Sequence, residues 1–233
     1  MRPLAVVRPE VPAGIVAIPV RTRLVRDGDD LVGIVADAVR GIARPGDVIA
    51  ISETAVAIAQ GEFVVAEMIR PSKLAYVLSR RAGAMATVSQ PESLQLVIDA
   101  VGAPKVVYAA VMHVLGRLAG RRGMFYEVMG EAITAIDGYT GTLPPFERAI
   151  VLAPREPDAF AQSVYERTGS GCVVVDANDL EKAKVLGAST NVNRPNVEST
   201  LLDNPHGNGD EQTPVVVLKW RGDGANPLWE SRA

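Results

Sequence analysis

The chain has 233 residues, 48% of them hydrophobic, and a formal net charge of −3. That length can bury one large core or two small interwoven ones, and the charge argues against a general nucleic-acid binder. The single cysteine, Cys172, excludes an internal disulfide and a thiolate metal cluster.

In chain order, Arg8, Pro9 and Glu10 break any signal-peptide core. Ile15 to Val20 follows as a β-branched strand. Asp29 or Asp30 is suited to cap a helix whose apolar face is Leu31, Ile34, Val35, Ala38, Val39 and Ile42. Pro45-Gly46-Asp47 turns into a buried strand over Val48–Ser52, and Gly61-Glu62 marks a second turn. Pro71-Ser72 opens a short helix that ends near Gly83. Ser89-Gln90-Pro91-Glu92 starts another, with Leu94, Val97, Ile98 and Val101 at helical spacing and Gly102 as its C-terminal stop.

Pro104 to Leu118 reads as a helix that is apolar on most faces, destined for the core or for a two-fold interface. It is shorter than the roughly 18 apolar residues of a membrane span and is broken by His113, Gly116 and Arg117. A cytoplasmic protein is expected. Further on, Ala149 to Leu152 reads as a strand, Asp158 as the cap of a helix through Arg167, and Cys172–Val175 as a buried strand. Gly187 to Gly209 reads as irregular, Pro214 to Leu218 as a last strand, and residues from Gly222 onward as a loose tail.

Several clusters carry candidate chemistry, each with a plainer reading beside it. Asp176 is placed at the end of an apolar strand with Asn178 and Asp179 beyond it. Hard cations prefer such oxygen ligands, although an Asx-rich turn gives the same pattern. Asp137 stands beside Gly138, as in an ordinary Asp-Gly turn. The run Asn204 to Glu211 contains Gly207 and Gly209, whose backbone can turn N–H groups toward a phosphate, or form a surface loop. Arg117, Arg121 and Arg122, among Gly116, Gly120 and Gly123, read as an anion grip or as a solvated basic loop. There is no Walker A lysine, dinucleotide fingerprint or Gly-x-Ser-x-Gly elbow. Two histidines at unrelated spacing make a zinc enzyme a poor fit.

Separated blocks then resemble one family. They are Val16 to Leu24, Gly28-Asp29-Asp30-Leu31, Pro45 to Thr54, Ala59-Gln60-Gly61, Pro71-Ser72, Ala135-Ile136-Asp137-Gly138, Val175-Asp176, and Gly207-Asn208-Gly209 followed by Pro214. In order and spacing the chain resembles the coenzyme F-420-0:L-glutamate ligase family, whose members join glutamate to a deazaflavin precursor using GTP and divalent metal. The resemblance implies an intertwined α+β fold, mixed in its α/β content, in a homodimer. It implies one ligase-like domain over residues 1–221, with room for two interwoven lobes, and a tail over 222–233. It implies Mg²⁺ or Mn²⁺ held by Asp137, Asp176 and Asn208. The nucleotide would meet Thr22, Arg23, Leu24, Val25, Glu53, Thr54, Thr140, His206, Gly207, Asn208, Gly209 and Asp210. Arg121 and Arg122 are candidates for gripping an acidic substrate.

The chain departs from the family pattern at named positions. Ile58 stands where a lysine is expected, Asn208 where a metal-binding glutamate is, Thr140 where an asparagine is, and Ala177 at a further metal position. Residues 102–130 match poorly. A nucleotide- or cofactor-binding homologue without ligase activity, or with a different acceptor, is the alternative that these losses favour.

Overall fold

The computed structural model describes residues 14–82, 87–121, 123–130, 133, 136–138, 144–178, 182–207 and 211–230. The elements run β1 (Ile15–Val20), α1 (Leu31–Ala38), β2 (Val48–Ser52), α2 (Glu53–Ala59), β3 (Phe63–Val65), α3 (Lys73–Ser79), α4 (Pro91–Val101), α5 (Ala103–Leu118) and α6 (Met124–Met129). They continue with β4 (Ile136–Asp137), β5 (Ala149–Leu152), α7 (Pro157–Thr168), β6 (Gly171–Asn178), β7 (Lys182–Ala188), α8 (Arg194–Thr200) and β8 (Val215–Trp220). The content is mixed α/β, as the expected α+β class requires.

The chain forms two compact units. One comprises residues 1–61 and 154–233, and the other, residues 62–153, is inserted into it. The first is built on a mixed five-stranded sheet in the order β1-β8-β2-β6-β7. β8 runs antiparallel to both β1 and β2, while β2 and β6 are parallel. Val48, Ala50, Val173, Val175, Val216 and Leu218 pack on one face with Val197 and Leu201 of α8 and with Leu228. Strand alternation turns Ile49, Ile51, Cys172, Val174, Val215 and Val217 to the other face, and these too are fully buried. A sheet covered on both faces needs unbroken apolar strands, so the Val-rich runs are what the sequence shows.

The inserted unit has its own core, in which Leu94, Val97 and Ile98 of α4 meet Val106, Ala109, Met129, Ile136 and Ile150. Its three-stranded sheet has the order β3-β5-β4. At the entry and exit of the insertion, the Gln60 side chain donates to the Arg155 carbonyl at 3.0 Å and accepts from the Arg155 N–H at 2.7 Å. The Arg155 guanidinium donates to the Gln60 carbonyl at 2.8 Å.

Four sequence expectations need correction, and a fifth, core or two-fold interface for α5, is narrowed. Asp158 does not cap α7: Glu156 takes that position with φ 45°, and the Asp158 carboxylate instead accepts from the Ala188 N–H and pairs with Arg194. The expected irregular segment Gly187 to Gly209 is not irregular over its described part, residues 187–207, because β7 ends and α8 lies within it. β6 does not stop before Asp176. Its ladder with β2 ends at Ser52↔Val175, but its ladder with β7 continues to Asn178. The segment after Gly222 is not loose as far as residue 230: Leu228 is fully buried, Trp229 bridges to Val192, and the Asn226 and Trp229 side chains both donate to the Gly46 carbonyl at 2.8 Å. α5 is not a core helix within one chain, since only Val106, Ala109 and Gly116 of it are buried. Tyr108, Val111, Val114, Leu115 and Leu118 are exposed. No single helix among the described residues is long and apolar enough to cross a membrane.

One close approach locks β7 to α7. A Cβ added at Gly187 would lie 2.2 Å from the Pro157 carbonyl carbon and 2.5 Å from the Asp158 nitrogen. Both are backbone atoms and cannot rotate away. Gly187→Ala should therefore destabilise this unit by about 3 kcal/mol or more, the upper range for overpacking, and lower the melting temperature by roughly 6–12 °C. Thermal and urea unfolding check this; a variant melting within a degree or two of the parent would contradict the packing described.

Candidate functional site at the β1-β8-β2-β6 edge

Register brings several of the expected residues to one edge of the five-stranded sheet. Val215, the first residue of β8, sits opposite Val20 on β1 and opposite Ile51 on β2. Ile51 in turn pairs with Val174 of β6. The chain therefore leaves β1 at Thr22, leaves β2 into α2 at Ser52-Glu53-Thr54, and passes Asp176 on β6, all beyond the same row. The loop before β8 enters between them. The Thr22 N–H donates to the Gln212 carbonyl at 3.1 Å and the Ser52 N–H to the Pro214 carbonyl at 2.8 Å. Carboxyl ends of strands in such sheets are where ligands collect.

The individual groups differ in how free they are. Thr22 is buried and its hydroxyl donates to the Arg23 carbonyl at 2.8 Å. Arg23 grips Asp29 with two N–H···O bonds of 2.7 and 2.8 Å. The Arg23 bond, helped by the Arg26 N–H, holds the Asp29 carboxyl below the usual carboxylate range. Asp30 takes the capping role for α1, accepting from the Gly33 N–H at 3.0 Å. So Arg23 meets a phosphate only by sharing or releasing Asp29. Leu24 is half-buried and Val25 buried. Glu53 and Thr54 form the first turn of α2 and are half-buried; a carboxylate there suits the positive end of the helix dipole. Ile58, at the expected lysine position, is buried in α2.

His206 closes the neck of the loop. Its Nδ1 lies 3.2 Å from the Thr213 carbonyl, and the Thr213 hydroxyl donates to the His206 carbonyl at 2.5 Å. Burial pushes the imidazole pKa down to about 4, against the opposing pull of the Thr213 carbonyl, so the ring is neutral at pH 7. A carbonyl only accepts, so Nδ1 carries the proton; this tautomer follows from the hydrogen bond. Nε2 then presents a buried lone pair with no hydrogen-bond partner among the described residues. Gly207 follows with φ 74°, in the left-handed region open to glycine.

Other expected residues lie elsewhere. Asp137 belongs to the inserted unit, where its backbone pairs with Val151, while its side chain lies outside the described residues. Gly138 packs against the Gln90 carboxamide, with no room for a Cβ. Arg121 also belongs to the inserted unit and pairs with Glu127 at 3.3 Å. Arg122, Thr140, Asp179, Asn208, Gly209 and Asp210 lie outside the described residues. Among the described residues no three His, Cys, Asp or Glu side chains are grouped to hold a metal ion. They do not by themselves build a cage, and Asp176 is the one expected metal-binding carboxylate whose side chain is described.

The family resemblance extends the nucleotide loop from His206 to Thr213 and includes Ser52 in the block Pro45 to Thr54, without giving Ser52, Gln212 or Thr213 the part of seating the loop; Lys184, which faces Asp176 across the β6–β7 ladder, was missed altogether. The alternation Lys182-Ala183-Lys184-Val185 was a strand signal that would have exposed Lys184. A second concavity of about 490 Å³ lies near the opposite sheet edge, beside Ala188. Its polar wall is largely bonded to itself: Arg194 holds Asp158, and Thr190 donates to Gln162 through both N–H and hydroxyl at 3.2 Å. None of the expected site residues lines it.

Asp176 is exposed, yet the flanking strands strip part of its hydration. That desolvation raises its carboxyl pKa, with the Lys184 cation pulling the other way. The folded state thus holds this proton to higher pH than the unfolded chain. Stability from this group falls as pH rises from about 3.8 through the folded value, and the loss persists at pH 7. Asp176→Asn should therefore leave the neutral-pH stability of metal-free protein unchanged or raise it, and should flatten its dependence on pH above 4. Urea denaturation at pH 4 and pH 7 checks this; a clear loss at pH 7 would show that the carboxylate has a structural partner.

Against known families, the description "F420-0:Gamma-glutamyl ligase" matches residues 19–175. No curated protein sequence matches significantly. The family match covers Thr22 to Val25, Glu53, Thr54 and Asp137, stops one residue before Asp176, and does not include the His206 loop. It extends over more than half of the chain, which therefore belongs to the F420-0:gamma-glutamyl ligase family.

Proposed function

We propose that this chain is a GTP- and metal-dependent ligase that joins L-glutamate through an amide bond to a deazaflavin coenzyme precursor. The observation that carries this reading is the family match over residues 19–175 together with the gathering of Thr22, Ser52–Thr54, Asp176 and the His206 loop at one sheet edge. The chemistry has a clear requirement. A carboxylate is a poor acyl donor, because oxide is a bad leaving group. Transfer of the γ-phosphoryl group to the carboxylate, releasing GDP, gives an acyl phosphate. Attack by the glutamate amine then forms the amide and expels phosphate.

Phosphoryl transfer asks the protein for positioning and charge neutralisation more than for covalent help. In this reading the backbone around Gly207 and the first turn of α2 position the phosphates, and Asp176 supplies one carboxylate to the cation. Mg²⁺ or Mn²⁺ would supply charge neutralisation between phosphate oxygens. Mg²⁺ commonly takes only one or two carboxylates and fills its shell with water and phosphate, so it does not need a closed protein cage. Arg121 and Arg122 remain the candidates for gripping the acidic acceptor.

A second reading is favoured by two observations. Ile58 buries an aliphatic side chain where a cation is expected, and Arg23 is held by Asp29. One lost charge-assisted contact to phosphate corresponds to on the order of 1.5–3 kcal/mol, roughly ten- to a hundredfold in affinity. That weakens nucleotide use without abolishing it. A binding homologue without turnover would retain nucleotide affinity alone.

The assay that separates them uses purified protein with GTP, Mn²⁺, L-glutamate and the deazaflavin precursor. GDP release that requires both the precursor and glutamate, with an amide product by mass spectrometry, is the expected result. GTP binding without acceptor-stimulated GDP release would establish the binding homologue. We also propose a homodimer, in which a second copy covers the exposed face of α5. Light scattering at micromolar concentration should give twice the chain mass, and Val114→Glu should reduce it to one; a monomer in the parent protein would count against the assembly.

A further inference from the structure

We infer that the outward stripe of α3 is a docking face for an anionic lipid surface. The inference goes beyond the ligase reading and does not depend on it.

α3 is pinned on its inner side. Ser72 caps it, accepting from the Ala75 N–H at 3.3 Å, and the Ser72 N–H donates to the Gln95 carboxamide of α4 at 2.8 Å. Ala75 and Ser79 are buried, and Leu74 and Leu78 pack on the core of the inserted unit. Helical spacing then turns Lys73, Tyr76, Val77 and Arg80 outward as one i, i+3, i+4, i+7 stripe. All four are exposed, Tyr76 and Val77 by about half. Arg81 follows the helix and Arg70 and Met68 precede it, and these are exposed too.

Two residues on this stripe work against the helix itself. Lys73 occupies the first position, where the helix dipole disfavours a cation, and no acid stands in that turn. Val77 is β-branched at an exposed position, where straight-chain residues make a better helix. Nor does the sequence supply opposite charge. Between Glu67 and Glu92 there is no Asp or Glu, whereas Arg70, Lys73, Arg80 and Arg81 all lie there. A solvated helix face ordinarily mixes both signs. On α4, which packs against α3, Asp99 accepts from the Gln95 amide at 2.7 Å and Glu92 is half-buried.

Cations and apolar groups on one exposed ridge match the boundary of an anionic bilayer. Arg and Lys meet the lipid phosphates while Tyr76 and Val77 enter between the headgroups. A ridge made by one helix offers no groove for the side chains of a peptide. A soluble polyanion would use the cations and leave Met68 and Val77 without a partner. Each cation close to an anionic surface is worth about fivefold in binding, so the four together give roughly several hundredfold. That suits a reversible contact rather than a permanent anchor.

Flotation of the full chain with vesicles tests this. Phosphatidylcholine vesicles carrying phosphatidylglycerol should bind the protein, plain phosphatidylcholine vesicles should not, and high salt should release it. Lys73→Gln/Arg80→Gln should weaken binding roughly 25-fold, the worth of two such cations. Arg40→Gln/Arg167→Gln makes the same change of net charge at exposed positions of the larger unit and should leave binding unchanged. Tyr76→Ser/Val77→Ser should weaken vesicle binding roughly tenfold. A spin label on Val77→Cys gives a local readout, because Cys172 is buried and out of its reach. It should lose contact with a water-soluble quencher on the anionic vesicles alone. No binding of the parent to those vesicles, or an equal loss in both double-cation variants, would overturn the inference. Tighter binding to poly-L-glutamate or to single-stranded RNA than to vesicles, insensitive to Tyr76→Ser/Val77→Ser, would also overturn it and assign the stripe to an acidic protein or to RNA.

Discussion

The insertion of β8 between β1 and β2 is the constraint on which the rest of this unit depends. β8 lies late in the chain, yet it occupies the interior of the sheet, between two strands, β1 and β2, that lie early in it. Val215 to Leu218 are completely buried, each contributing about 1.5–3 kcal/mol by its removal from water. Without β8, β1 has no partner, and β2 loses one of its two. The same threading delivers the residues before β8 to the ends of β1 and β2, where Thr22 and Ser52 hold the Gln212 and Pro214 carbonyls. The candidate site is thus a consequence of closing the sheet: its loop is placed where it is because the strand after it pairs with β1 on one side and β2 on the other.

The inserted unit obeys a separate logic. Its core of α4, α5, β4 and β5 residues is complete without the larger sheet. The passage between units is narrow in sequence. It leaves at residue 61 and returns at 154, and Gln60 and Arg155 tie the two passing strands of chain with three hydrogen bonds on the larger unit's side. A carboxamide that both donates to and accepts from one backbone unit fixes the two segments side by side. This lets 92 residues be inserted without loosening α2 or α7, the elements that flank the neck.

What was legible in the sequence follows from how local each signal is. β2 and β8 were readable because a strand buried on both faces must be continuously apolar, and Ile49–Ile51 and Val215–Leu218 are; β1, an edge strand only partly buried, was readable from its β-branched residues. α4 was readable from Pro91 at its first turn, the spacing of Leu94, Val97 and Ile98, and Gly102 at its end. β7 was overlooked although its Lys-Ala-Lys-Val start alternates, because its Gly187 reads as a loop signal and is there for α7, a partner distant in sequence. The role of Asp158 failed for the same reason: a good capping residue by type is drawn away by Ala188 and Arg194, some thirty residues on. For the candidate site, residue type and setting pointed to Asp176, while Thr22 and His206 came only from the family resemblance. The seats made by Ser52, Thr213 and Gln212 use backbone groups, which no side-chain pattern announces.

The electrostatics of the sheet edge show what the chain's departures from its family amount to physically. A lysine at position 58 would put an ammonium on a part of α2 that is buried here, and isoleucine instead adds to the core. Arg23 is not an equivalent replacement, because Asp29 already satisfies its fork with two short hydrogen bonds. Lys184 is different. It lies directly across the ladder from Asp176, is exposed, and lowers the pKa of a carboxyl that desolvation raises. A cation beside this carboxylate keeps Asp176 ionised at lower pH than desolvation alone would allow, and ionised carboxylate is the form that binds a hard metal. The positive charge missing from α2 has a counterpart one strand beyond β6, on the same edge of the sheet. The polarity of the edge is therefore carried by a cation beside the acid rather than one on α2.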